Sequence, residues 1–146
     1  MLDIGLIVRV ATISDLEAVY SLICDLEDHN LDKKSFEATF SKNLSDIDVY
    51  YLVAEKDGRV VGFISMHVQH ILHHQKATCE LQELNIEPEM RGQGIGNDLM
   101  EEVERIAKSI NVEEIELTTR IYRDKAQKFY RNLGYEHTHN KYVKKF

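Results

Sequence analysis

Three glycines in six residues, Arg91-Gly92-Gln93-Gly94-Ile95-Gly96, lie between a strand-like run and a long amphipathic segment. Glycine allows dihedrals and close backbone approaches denied to other residues. Where such a loop opens a helix, free N–H groups point outward together, with the positive end of the helix dipole behind them. That is an anion site suited to a pyrophosphate, and Arg91 could add a charge-assisted bond to a phosphate oxygen. The alternative is a glycine-rich turn with no ligand. Upstream, Glu80-Leu81-Gln82-Glu83-Leu84-Asn85-Ile86 offers two carboxylates able to take a proton, or simply two solvated or ion-paired side chains. Downstream, Ala126-Gln127-Lys128-Phe129-Tyr130-Arg131-Asn132-Leu133-Gly134-Tyr135 carries a phenol of ordinary pKa about 10. Tyr130 is either a proton donor or a core aromatic beside Phe129 and Leu133.

Four histidines crowd into His67-Val68-Gln69-His70-Ile71-Leu72-His73-His74. In an extended chain His67 and His70 face opposite ways, which is not the spacing of a helical metal pair. A solvated or hydrogen-bonded cluster is the simpler reading, and no residue is assigned as a metal ligand. Two phosphate motifs are excluded. The Walker pattern needs Lys-Ser/Thr after its last glycine, whereas Asn97 and Asp98 follow Gly96. The dinucleotide fingerprint needs another spacing and an early position in the chain.

The elements that must position these groups follow from periodicity. Ile7 to Val10 reads as a strand, and Ser14 with Glu17 as a capping box before a helix carrying Leu16, Val19, Leu22, Ile23 and Leu26. Asp32 caps a second helix with Phe36, Phe40 and Leu44. Tyr50 to Glu55 and Arg59 to Ile71 form a hairpin through Asp57-Gly58. Thr78 to Ile86 is a strand ending before Pro88. Ile95, Leu99, Val103, Ile106 and Ile110 stripe a third helix. Val112 to Thr119 is a strand, Lys125 to Leu133 a helix stopped by Gly134, and Tyr135 to Val143 a last strand. Strict alternation groups Glu80 with Gln82, Leu84 and Ile86, and puts Glu83 opposite; a bulge would alter this. The pattern predicts one α/β (α+β) domain over residues 1–146, a central sheet covered by helices.

The chain has 146 residues, 43% apolar and 29% charged, with a net charge of −7. That balance argues against nucleic acid, whose binding requires Lys and Arg against phosphate, and is consistent with a cationic amine. No apolar run is long enough to cross a bilayer. The N-terminus lacks a basic n-region and a small-residue cleavage site. Cys24 and Cys79 have no metal-like spacing and read as buried thiols. The expected compartment is the cytoplasm, with no membrane partner.

Arg91 to Gly96 resembles the R-x-x-G-x-G/A signature of GNAT acetyltransferases, with the strand and Ile86-x-Pro88 approach before it, and the element order resembles theirs across nearly the whole chain. The resemblance implies a mixed, mostly antiparallel sheet and an N-acetyltransferase that takes acetyl-CoA as co-substrate. It implies that backbone N–H groups of Arg91, Gly92, Gln93, Gly94, Ile95 and Gly96 hold the pyrophosphate, with Asn97 near the helix start. Ala126 to Tyr135 resembles the family's A-x-x-F-Y-x-x-L-G-F/Y segment, which implies that Tyr130 protonates the departing thiolate. It also implies a splayed strand with oxyanion donors near Leu84 or Ile86. Glu80 falls where several members carry their base, ahead of Glu83.

His67 to His74 followed by Glu80 to Leu84, with Arg9 to Leu26, is similar to the aminoalkylphosphonate N-acetyltransferases. This implies a small aminophosphonate acceptor, stimulation by a divalent metal, and cationic partners among His73, His74, Arg120, Arg123 and Lys141. Other amines stay open: a polyamine, an amino sugar or a protein N-terminus. So does a non-catalytic acetyl-CoA sensor, and so does a homodimer sharing final strands. Neither cysteine lies within the motifs as a covalent relay.

Overall fold

The computed structural model describes residues 5–146; Ile4, which opens the first apolar run, lies outside them. The elements are β1 (Leu6–Val10), α1 (Leu16–Glu27), α2 (Lys33–Leu44), β2 (Val49–Lys56), β3 (Arg59–Gln69), β4 (Thr78–Ile86), α3 (Ile95–Ser109), β5 (Ile115–Leu117) and α4 (Asp124–Asn132). Two compact units are distinguished: the first runs to Glu116, the second is Leu117–Phe146.

In the first unit the strands follow chain order, β1-β2-β3-β4-β5. The first three pairings are antiparallel. At the fourth, Glu113 N–H donates to Ala77 O at 2.8 Å and Cys79 N–H to Glu114 O at 2.9 Å. Both segments advance together, so β5 runs parallel to β4 and the sheet is mixed. The β2–β3 hairpin turns where Asp57 and Gly58 both take positive φ, 49° and 82°, the pair favoured by a right-twisted ribbon.

Alternation gives the sheet two faces. One carries Tyr51, Val53 and Phe63, which pack with Val19, Leu22 and Ile23 of α1 and Phe40 of α2. The other receives α3, whose Ile95, Leu99, Met100, Val103 and Ala107 are buried. As expected, Asp32 caps α2, accepting from Ser35 N–H at 2.9 Å. The cap before α1 is not Ser14 with Glu17. The Asp15 carboxylate instead accepts from Thr12 N–H at 2.8 Å, because residues Ile13–Asp15 first form a 3-10 turn.

In the second unit, Gly134 (φ 94°) follows α4. Tyr135 N–H reaches Tyr130 O and Gly134 N–H reaches Arg131 O, both at 3.0 Å, closing the helix in a Schellman arrangement. Two expectations fail. β5 is three residues long rather than Val112 to Thr119, and no strand forms over 135–143. A strand exists only through pairing, and the polar run Glu136-His137-Thr138-His139-Asn140-Lys141 offers no apolar face to fix a register. Among the described residues no helix is long and apolar enough to cross a membrane.

Candidate active site

The register of β3 and β4 decides which carboxylates meet. Ser65 pairs with Glu83, but Met66 pairs with Leu81 and His67 with Glu80. Gln82 is therefore an extra residue on β4, a bulge, and it is exposed. This corrects the alternation expected from sequence: Glu80 no longer shares a face with Leu84 and Ile86. Ser65 and His67 lie two apart on an unbulged strand, so Glu83 and Glu80 both face α1 and α2. Ser65 is fully buried; its Oγ accepts from Glu83 N–H at 3.0 Å and donates to the Glu83 carboxylate. Gln69 Nε2 donates to Glu80 Oε2 at 3.0 Å. The polar positions Ser65, His67 and Gln69, spaced by two in an apolar strand, were the overlooked signal for this half of the site.

Backbone polarity along β4 follows from one bond, Glu87 N–H to Val61 O at 2.8 Å. Hydrogen-bonded and non-hydrogen-bonded pairs alternate in an antiparallel ladder. Gly62–Ile86 and Ile64–Leu84 are thus of the second kind, and the N–H groups of Leu84 and Ile86 point away from β3. On that side β5 contributes three residues against nine in β4, and its bonds begin at Ala77 and Cys79. The strand cannot cover the whole of that edge.

Past Pro88 the chain enters the glycine loop. Gly92 and Gly94 have φ of 78° and 86°, a region that costs other residues about 1–2 kcal/mol. α3 begins at Ile95 with Gly94 as its N-cap and no side chain capping it. The first amides of α3, on Ile95, Gly96 and Asn97, therefore have no side-chain acceptor at the cap and present the positive end of the dipole. Gly92, Gln93, Gly94 and Asn97 are exposed. Arg91 is not aimed simply outward. Its Nε donates to Ile86 O at 2.9 Å, and its Nη2 to Asp25 Oδ2 at 2.8 Å and Asn85 Oδ1 at 3.0 Å. Sequence reasoning missed Asp25 and Asn85 altogether.

In the second unit Tyr130 is half-buried, edge-on to Phe129 and Tyr135. Burial pushes its phenol up to about 12, and the charge of Arg123 acts in the opposite direction. Arg120 Nη1 donates to the Tyr122 hydroxyl at 3.3 Å, and Lys141 Nζ to Thr118 Oγ1 at 3.5 Å.

The histidine run divides. His67 lies on β3 opposite Glu80, whereas His70 and His73 are exposed beyond the strand. His74 bonds to Glu113 through Nδ1 and lies 3.4 Å from Glu114 Oε1 through Nε2. Among the described residues these three form the group whose ligand atoms all lie within 4.8 Å of one another. Imidazole and two carboxylates suit a divalent cation by type, though His74 is already paired with both carboxylates. Cys79 is fully buried and Cys24 half-buried, so only one matches the expected buried thiol. Burial raises the Cys79 thiol to about 11, which removes it as a nucleophile near neutral pH.

The family model "Acetyltransferase (GNAT) family" matches residues 16–135. The chain is 43% identical over 136 residues to an aminoalkylphosphonate N-acetyltransferase of Salmonella typhimurium, covering 93% of this chain and 88% of the relative. Among solved structures, a transcriptional regulator from Bacillus halodurans superposes with a TM-score of 0.89 at 26% identity, over 97% of this chain and 99% of that one. An aminoglycoside N-acetyltransferase in complex with CoA superposes with a TM-score of 0.87 at 19% identity, over 97% and 94%; at that identity the likeness is one of fold. The chain belongs to the GNAT acetyltransferase family and is an N-acetyltransferase.

Proposed function

We propose that the chain transfers acetyl from acetyl-CoA to the primary amine of a small aminoalkylphosphonate, by direct attack of the amine on the thioester. The observation that carries the acceptor class is the 43% identity, over nearly the full chain, to an enzyme of that description. The composition of the second unit supports it: residues 117–146 hold eight Lys and Arg against two Asp and Glu, within a chain that is acidic as a whole. An anionic phosphonate needs such cationic partners, and Arg120, Arg123 and Lys141 lie in that unit. The family match spans residues 16–135 and so runs through both units, which supports reading 1–146 as one functional domain.

An alkylammonium with pKa about 10 must lose a proton before it attacks. Glu80 is the acceptor in this reading, with Glu83 as the second choice. The support is its partly exposed place on the bulged strand and its orientation by Gln69. Glu83, by contrast, is tied to the Ser65 hydroxyl. The outward N–H groups of Leu84 and Ile86 stabilise the oxyanion. The amides from Arg91 to Asn97 hold the pyrophosphate, and Tyr130 protonates the thiolate. Its raised pKa keeps the phenol protonated throughout the neutral range, as an acid requires.

The test is thiol release from acetyl-CoA against aminomethylphosphonate, 2-aminoethylphosphonate, spermidine, glucosamine 6-phosphate and a short peptide. Each is run with Mg²⁺ or Mn²⁺ and with a chelator. Turnover confined to the two phosphonates is expected. Turnover confined to another amine would discard the acceptor assignment and keep the acetyltransferase. A metal dependence would direct attention to His74, Glu113 and Glu114, with His74→Ala as the variant that removes it.

A further inference from the structure

The arginine at the head of the glycine loop has its Nε and Nη2 donors engaged by the protein. The Arg91 Nε bond to Ile86 O spans the five residues between the end of β4 and the loop. Its Nη2 bonds reach Asp25 on the last turn of α1 and Asn85 on β4. Asn85 is buried, and its amide donates onward to Asp25 Oδ2 at 2.9 Å and Leu22 O at 2.8 Å. Asp25 Oδ2 thus receives both Arg91 and Asn85, and a single closed network joins α1, β4 and the first residue of the loop. The planar fork of a guanidinium suits three acceptors at fixed angles; an ammonium does not.

We propose that Arg91 is a positioning residue. It sets the anion-binding loop through Asp25 and Asn85, rather than by a direct bond to a phosphate oxygen. Two fixed relations follow from the network. The Ile86 carbonyl, which points away from β3, is engaged by Arg91, which offsets its repulsion of an oxyanion at the adjacent N–H donors. The loop glycines, free in φ by their nature, are anchored at their upstream end to the strand bearing Glu80 and Glu83. The same network reaches the helix on the carboxylates' own face of the sheet, so the acetyl-donor loop and the acceptor side share one frame. The inference rests on the loop being the acetyl-CoA site and adds how that site is held.

The experiment is calorimetric binding of acetyl-CoA to wild type, D25A, R91A, D25A/R91A and R91K, at low and high salt, with steady-state kinetics on each. Asp25 is partly exposed and touches the cofactor in neither reading. Positioning predicts that D25A alone raises Kd about ten-fold and raises KM for acetyl-CoA while kcat stays within about two-fold. The double variant should be no weaker than R91A, because interacting residues are non-additive. R91K should fail to rescue, and the salt slope should match wild type in every variant. The proposal is overturned if D25A binds as wild type or tighter while R91A is weak, or if R91A alone flattens the salt dependence, since either result means a direct phosphate bond. G94A separates the two levels. If it too leaves Kd unchanged, the loop is not the acetyl-CoA site and the underlying reading fails with it.

Discussion

At the scale of single residues, the two glutamates share a face yet differ in what holds them. Glu83 is fixed by Ser65 through both its carboxylate and its own amide, whereas Glu80 receives one amide bond from Gln69. A proton acceptor must exchange its proton with substrate and then with water, which favours the less committed group. Glu80→Gln should lower kcat about 100-fold with little change in acetyl-CoA affinity, and Glu83→Gln less than about ten-fold. Equal losses in a kcat and Kd comparison would remove the distinction. Tyr130→Phe should lower kcat about ten-fold or more. With the phenol near 12, Tyr130 stays protonated well past neutrality. The wild-type rate should therefore show no falling limb from this group below about pH 10; a limb near pH 8 that Tyr130→Phe abolishes would contradict it.

At the scale of elements, the bulge in β4 is the feature that brings the two candidate carboxylates to one face. One extra residue, Gln82, rotates the strand so that carboxylates three apart face the same way. Their register partners His67 and Ser65 lie two apart. Beside the bulge the Ser65 hydroxyl accepts from the Glu83 amide. Ser65→Ala would remove that bond, at a cost of about 1 kcal/mol, and would free the Glu83 carboxylate. Denaturant unfolding should show that loss, and kcat should fall with it. Unchanged stability would mean that the amide finds another acceptor.

At the scale of the whole molecule, one contribution to stability that is lost at low pH is a bond between β1 and the turn before α1. Arg9 Nη1 and Nη2 grip Asp15 at 2.8 and 2.9 Å, and Nη2 also meets Glu55 at 3.1 Å. The Arg9 bond, more than any other contact, holds the Asp15 carboxyl below its ordinary range. A carboxylate lowered on folding contributes stability that is present above its unfolded pKa and lost as pH falls through its folded one. Arg9→Ala should cost about 2 kcal/mol near neutrality, after allowance for the partial exposure of Arg9. It should also flatten the decline below about pH 4. An unchanged acid limb would place the sensitivity elsewhere. At the alkaline end the sign reverses for Cys79, whose folded pKa of about 11 is raised: its contribution is full below the free-thiol value and lost as pH rises through 11. Near neutrality, thiol reagents should label Cys24 before Cys79.

Much was legible along the chain because it depends on neighbours in sequence. The glycine loop opening a helix, the Asp57-Gly58 hairpin, the Asp32 cap and the Gly134 stop are all local backbone rules, and residues within a turn or two enforce them. Thr78 to Ile86 was bounded correctly for the same reason, since its composition and the following Pro88 mark both ends. What the sequence could not determine depends on pairing across distance. The bulge at Gln82 is a property of two strands, invisible in either alone, and it reversed the face assigned to Glu80 relative to Glu83. The expected last strand failed because no local pattern guarantees a partner edge. That Arg91 meets Asp25, 66 residues away, could not be read along the chain, because the packing of α1 against the sheet brings the two together. Sequence determined the chemistry available; tertiary structure decided which groups face one another, because hydrogen bonds form between atoms in space and not between positions in a chain.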